Sequence, residues 1–286
     1  MAPVEMPAFI HNIQCGRLLE ALRGETTQRE VAAACGWSQP TQVDLERGQK
    51  LFTADALDKL RAALGGEAQV WDEIAWHAEL GSAQIPKSDL RWKFKSEPMR
   101  KLVDMERTAT VIRCKASMLL PGMLQTPELM RYLMAVAGVA VDEIDRLVDL
   151  RVRRQEALLN QERRFEFIID QAALARVSLI SDATGVWAGQ LTRLAEVVRL
   201  PNVHVRWVPF SHGFYPAQES DYHLVTYGAD PALNLVYVER YDEQAVLPEP
   251  KIVKKYQGLW EEQEKVALES DQAANFLAFV GGPLPS

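Results

Sequence analysis

Residues 27–49 read TQREVAAACGWSQPTQVDLERGQ, and whether this stretch forms two crossed helices decides the architecture of the N-terminal part of the chain. Thr27-Gln28-Arg29-Glu30 has the S/T-x-x-E spacing of a capping box, in which the threonine hydroxyl and the glutamate carboxylate each satisfy a free amide at a helix start. Val31 and Ala32 follow on one face, and Gly36 suits a left-handed C-terminal cap. Ser38 caps a second helix, with Pro40 in its first turn, where a missing N–H costs little. Working outward, Cys15, Leu18, Leu19 and Leu22 repeat at helical spacing and predict a helix over Asn12–Arg23. Another is predicted over Ala54–Leu64, ended by Gly65-Gly66. Four or five short helices make a compact all-α domain over residues 1–80.

The pair of helices has the outline of a helix-turn-helix. The run Ser38-Gln39-Pro40-Thr41-Gln42-Val43-Asp44-Leu45-Glu46-Arg47-Gly48 resembles the recognition helix of XRE/Cro-type repressors. That resemblance implies DNA binding, with Gln28, Ser38, Gln39, Thr41, Gln42, Arg47 and Lys50 as the residues facing DNA. Gln39 matches the position that reaches a base edge or phosphate, and Gln28 a phosphate contact. The chain departs from the family at Gln42, where an aliphatic residue is usual, at Val43, where a small polar one is, and at Asp44. A carboxylate is repelled by phosphate and can only accept a hydrogen bond from a base.

Charge weighs against an extended nucleic-acid surface. The net charge is −7, and residues 1–70 hold seven Lys/Arg against nine Asp/Glu. Residues 91–115 hold eight basic against three acidic residues, and would supply a phosphate-facing surface better than the first helices do. No apolar run reaches the ~18 residues of a membrane span, and no secretory signal pattern opens the chain, so a cytoplasmic protein is expected. Cys15, Cys35 and Cys114 form no CxxC pair, so buried thiols are expected, with neither metal nor cofactor.

The loop at 81–89, GSAQIPKSD, marks a domain boundary, and the second domain is expected over 90–286. Residues 95–164 read as helical, as in VDEIDRLVDLRVRRQEALLNQ. From 165 onward RFEFIID (164–170), NVHVRWVPF (202–210), DYHLVTYG (221–228) and LNLVYVER (233–240) are rich in β-branched and aromatic residues and predict strands. The helix GVWAGQLTRLAEVVRL lies between the first two, giving a strand–helix–strand unit and a mixed sheet. A closing helix is expected over Lys251–Val280. The fold class expected is thus α+β multidomain: a helical N-terminal domain, a helical segment, and an α/β domain.

LLPGMLQTPELMR (119–131), RVRRQEAL (151–158), IIDQAAL (168–174), VWAGQLTRL (186–194), VHVRWVPF (203–210) and VYVER (236–240) together resemble the C-terminal domain of a large set of actinobacterial XRE-type regulators. The biochemical role of that domain is unknown. Gln171 stands where that family usually has an acidic residue. Gln125, Arg151, Arg154, Gln155, Gln171, Gln190 and Glu239 are polar residues inside these otherwise apolar motifs, and are the candidate ligand-binding set. His204, His212 and His223 lack metal-ligand spacing such as HExxH, although the stretch 212–223 holds Glu219 and Asp221 beside two histidines and is the best candidate for acid/base chemistry. The reading is a homodimeric DNA-binding regulator whose second domain senses a small ligand or partner protein. The alternative is a descendant that no longer binds DNA and serves as an enzyme or adaptor.

Overall fold

The computed structural model describes residues 6–83, 89, 93, 96–180, 185–228, 231–239 and 244–268. The chain divides into two compact units, Met1–Trp92 and Lys93–Ser286. Most of the boundary loop expected at 81–89 lies outside the described residues.

The first unit is all helical: α1 (Ala8–Arg23), α2 (Gln28–Cys35), α3 (Gln39–Glu46), α4 (Ala54–Leu64) and α5 (Ala68–Gly81). α1 begins four residues before its expected start at Asn12. Both halves of the Thr27/Glu30 capping box form, Gly36 takes φ 76°, and the Ser38 hydroxyl accepts from Thr41 N. Cys15, Leu19, Val31, Leu45, Phe52, Leu60, Trp71 and Ile74 make one core. Gly48 turns the chain at φ 66°, where a Cβ would lie 2.5 Å from Ile13 N. Only glycine therefore lets the end of α3 close on α1.

The second unit opens with α6 (Glu97–Thr108), followed by β1 (Val111–Ala116), α7 (Pro127–Val136), α8 (Val141–Gln155), β2 (Arg164–Asp170), α9 (Gln171–Ser178) and α10 (Val186–Val197). Then come β3 (Val203–Val208), β4 (Tyr222–Thr226), β5 (Leu235–Glu239), β6 (Gln244–Leu247) and α11 (Pro250–Val266). The sheet order is β3-β2-β1-β4-β5-β6. β1, β2 and β3 are parallel, while β4, β5 and β6 continue antiparallel from β1, so the sheet is mixed. The two crossovers, β1 to β2 and β2 to β3, run in the same direction across the sheet. Right-handed crossovers therefore put α7–α10 on one face, and α11 covers the other through Val253 and Trp260 against Ile168, Leu224 and Val236.

Residues 95–164, expected to be helical throughout, contain the central strand of this sheet. The charges of β1 explain why it escapes a periodicity reading. Arg113 pairs with Glu166 on the neighbouring strand, Nε–Oε2 2.6 Å, and Lys115 is only 1% exposed. Of the basic stretch 91–115, Lys115 is thus turned inward and Arg113 is paired, whereas Arg107 stays exposed. Lys115 Nζ donates to Ser117 Oγ at 3.1 Å and to Gln218 O, and stands 5.3 Å from the Tyr215 ring. Burial lowers its pKa, while the charges of Asp221 and Asp170 act to raise it.

The closing helix ends at Val266, and the rest of its expected span, to Val280, falls mostly outside the described residues. Among the described residues no helix is long and apolar enough to cross a membrane.

Candidate functional site

In the first unit the residues expected to face DNA separate into two groups. Ser38, Gln39, Arg47 and Lys50 are exposed and Thr41 is half-buried, at the start and end of α3. Lys50 Nζ reaches Thr41 Oγ1 at 3.5 Å, so the two ends of α3 share one edge. Gln42 is a correction: it is fully buried, with no surface to offer DNA. Its Oε1 accepts from Trp37 Nε1 at 3.2 Å and its Nε2 donates to Glu46 Oε1 at 2.9 Å. Glu46, 9% exposed, also accepts from Arg23 Nε at 2.8 Å and from Gln28 Nε2 at 2.6 Å. This polar clasp joins α1, α2, the turn and α3. Gln28, expected on phosphate, is therefore engaged inside the unit.

In the second unit, four of the seven candidate ligand residues hold backbone. Gln155 Nε2 donates to Gly122 O at 2.7 Å and Gln125 O at 2.8 Å. Gln190 Nε2 donates to Leu124 O while its Oε1 accepts from Thr126 N. Gln125 Nε2 donates to Leu120 O. All three are buried, and together they fix the loop 120–126 between β1 and α7. Gln171 accepts from Phe210 N at 2.8 Å, tying the end of β2 to the end of β3. These amides act as braces, because a loop buried against helices has carbonyls and amides that must find partners.

Arg151, Arg154 and Glu239 do come together, with residues that sequence reading passes over. Register places Cys114, His223 and Tyr237 opposite one another on β1, β4 and β5, as a row on one face. Cys114 Sγ lies 3.7 Å from His223 Nε2, and the His223 and Tyr237 rings meet edge to face at 5.6 Å. α6 contributes Glu106, 1% exposed, and α8 contributes Arg154, 6% exposed, joined Nε–Oε2 at 2.8 Å. A Cβ on Gly122 would stand 3.0 Å from Arg154 Nη2, so this glycine makes room for the guanidinium. Arg151, half-buried one turn before Arg154, feels the charges of both Arg154 and Glu239. The arginines, Tyr237 and Glu239 lie in motifs quoted above and His223 in a stretch read as a strand, but nothing local joins them to Glu106 and Cys114; the sheet register brings Cys114, His223 and Tyr237 together.

The electrostatics of the row follow from burial. Glu106 is pushed up to about 7 by burial, with Arg154 opposing. His223 is pushed down to about 3 by burial and then by the Arg154 charge. Burial raises the Cys114 thiol, and the Asp221 and Glu106 charges add to it. Thiol and imidazole are thus both neutral, which is the opposite of an activated thiolate–imidazolium pair. Among the described residues, Tyr237 Oη, His223 Nδ1 and Glu106 Oε1 have no hydrogen-bond partner.

The stretch 212–223 does not assemble an acid/base site. His223 is in the row beside Cys114, whereas Asp221 Oδ1 accepts from Ser117 N at 2.7 Å on the neighbouring strand's continuation. His212 and Glu219 are exposed. Among the described residues no group of three or more metal-ligating side chains converges.

The fold and its mixed sheet define an α/β domain preceded by a separate helical unit. A family model described as "Domain of unknown function (DUF5753)" matches residues 99–278, more than half of the chain, and the chain belongs to that family. No curated protein and no solved structure matches it.

Proposed function

We propose that the protein is a DNA-binding transcriptional regulator, with α2 and α3 as an XRE-like helix-turn-helix and the DUF5753 domain as its sensing part. The observation that carries this reading is the division of α3. Its inner side is locked by Leu45 and the Gln42–Glu46 clasp, while Ser38, Gln39 and Arg47 remain exposed. A helix held this firmly and open at its N-terminal turn is what major-groove docking requires. Two copies are expected, since a second half-site gives useful specificity. A ligand or small partner protein on the second domain would bias the placement of the two readers.

The reader is poor in charge. Arg23 and Gln28 are engaged with Glu46, which leaves Arg29, Arg47 and Lys50 as exposed contacts near α2 and α3. With three phosphates neutralised per chain, log affinity should fall against log salt with a slope of about −3 per chain. The test is a binding titration on the DNA upstream of the protein's own gene against random DNA, across a salt series. Sequence preference, a shallow slope, and its loss in Gln39→Ala and Arg47→Ala are expected. Absence of any preference at modest salt overturns the reading and leaves the adaptor alternative, which the acidic balance of residues 1–70 favours.

A further inference from the structure

We propose that the groove between α7 and α9 in the second unit binds a medium-chain carboxylate, with its aliphatic chain inward and its carboxylate against Arg176. The proposal gives the sensing role of this domain a ligand class, and to that extent rests on that reading. Binding is measured without DNA, so a failure here is separate from a failure of DNA recognition.

The groove is a cavity of about 270 Å³ with three walls. Leu129, Tyr132, Leu133 and Val136 supply the first, at the i, i+3, i+4 and i+7 positions of one face of α7. Ala173, Arg176 and Val177 supply the second, at matching positions of α9. Leu120, on the loop that follows β1, closes the third. The floor is apolar, since Leu120, Leu129, Ala173 and Val177 are all buried. The rim is apolar too, yet open: Val136 is 70% exposed and Leu179 is 79% exposed.

α7 is thus apolar on two faces. One is covered, because Met130 and Met134 pack on Val148 of α8. The other faces the groove, and contiguous apolar surface left open in this way marks a binding site.

The walls are fixed before any ligand arrives. Gln125, Gln155 and Gln190 bond the backbone of the loop 120–126, and Thr126 caps α7 by accepting from Leu129 N. Asp170 caps α9 by accepting from Ala172 N at 2.8 Å, and Gln171 accepts from Phe210 N. Both helices are therefore held at their starts, and the space between them is pre-formed, as ligand sites usually are.

Charge selects the occupant. Arg176 is the one charged residue of the lining among the described residues. It is exposed and has neither an ion pair nor a hydrogen bond there. The Tyr132 hydroxyl, in the other helical wall, is likewise unpartnered among the described residues. A second copy docking by the same face would bring a second Arg176 and no carboxylate to meet it. A cationic amphiphile is repelled, and inorganic phosphate leaves the apolar floor unfilled. A carboxylate on an aliphatic chain meets both demands, because the guanidinium fork matches its two oxygens. The volume falls just below the ~300–1,000 Å³ of drug-sized sites, which suits a chain of medium length.

The test titrates the full chain calorimetrically with hexanoate, octanoate and decanoate, with octylammonium and inorganic phosphate as comparison ligands. Octanoate should bind at one site per chain and more tightly than octylammonium, and phosphate should not bind. Affinity should rise by up to about fourfold per methylene along the series, as for a CH₂ group leaving water. Arg176 and Leu179 are exposed, so their variants should keep the parent's melting temperature. Arg176→Gln should weaken octanoate about two- to fivefold, as loss of an exposed ion pair does. Arg176→Glu should reverse the preference, to octylammonium, and Leu179→Glu should weaken octanoate alone. No octanoate binding at millimolar concentration, equal affinity for octanoate and octylammonium, or an unchanged preference in Arg176→Glu overturns the proposal. A dimer in sedimentation that Leu179→Glu dissolves also overturns it, by giving the groove to a second copy. Uptake by phosphatidylglycerol vesicles that is lost in the same variant does so as well, by giving the groove to a lipid surface.

Discussion

A fully buried glutamine in the middle of a two-turn helix must have its amide bonded, or each orphaned group costs about 1–3 kcal/mol. Gln42 meets that demand at both ends, through Trp37 and Glu46. The polar clasp also accounts for Glu46, whose carboxylate is held by Arg23, Gln28 and Gln42 together. Gln42→Val should therefore destabilise the first unit by about 1–3 kcal/mol, because Trp37 Nε1 loses its partner and Glu46 Oε1 keeps only Arg23, while the aliphatic side chain gains some burial. DNA affinity of the folded protein should not change. Gln39→Ala, on an exposed side chain, should do the reverse, leaving the melting temperature within about 0.5 kcal/mol equivalent of the parent. Chemical denaturation and DNA titration of both variants check the pair of outcomes. If Gln42→Val instead abolishes DNA binding without loss of stability, the assignment of Gln42 to the interior is overturned. From sequence, Gln42 reads as a surface residue, since a helix position alternates with its neighbours but does not declare which polar residues will bond one another inside.

The elements show which features a sequence announces. Caps and turn glycines act within four residues, so Thr27, Gly36, Ser38 and Gly65 place the short helices of the first unit close to where they lie. β2 to β5 carry β-branched and aromatic runs and are legible for the same reason. β1 is not, because its alternation Val111-Ile112-Arg113-Cys114-Lys115-Ala116 puts two cations on a buried face. Of their partners, Ser117 directly follows the strand, but Glu166 and Gln218 come from elsewhere in the fold.

The seam between α1 and α5 is a further element-scale feature with no local signature. His11 and His77 are buried, with Nδ1 atoms 2.8 Å apart, and the His11 and His77 rings each meet Trp76 edge to face. One proton between the two nitrogens satisfies both neutral rings; protonating the accepting ring puts one cation into the buried seam, and protonating both would set two cations side by side. Burial, reinforced by the charge of His77, lowers His11 to about 4. Burial also lowers His77, against an opposing effect of Glu73. A base whose folded pKa lies below its unfolded value gives stability that is complete above pH ~6.5 and is lost as pH falls towards the folded value. At His11 that window runs from pH ~6.5 to ~4 and amounts to about 3 kcal/mol by the 1.36 kcal/mol per unit rule. Trp76 is half-exposed and one of seven tryptophans, so the part of the fluorescence lost in Trp76→Phe reports opening of the seam. The midpoint of denaturation followed by Trp76 should fall between pH 7 and pH 4.5. In His11→Phe the acid loss should be much reduced, and an unchanged pH profile there sinks this account of the seam.

On the scale of the whole molecule, the sequence discloses a helical unit followed by a strand–helix–strand unit with a mixed sheet. It does not disclose the row on which Arg151 and Arg154 converge, because three of its members meet only through the register of β1, β4 and β5. The first unit carries a pH lever of its own, the His11–His77 pair. Calorimetric unfolding of the full chain should accordingly show two transitions. Lowering the pH from 7 to 5 should move the transition of the first unit downward through the His11–His77 seam. The transitions are assigned by comparison with Trp76→Phe, whose lost fluorescence follows the first unit. A single transition would show that the units unfold as one body, and the acid effect would then act on a common equilibrium.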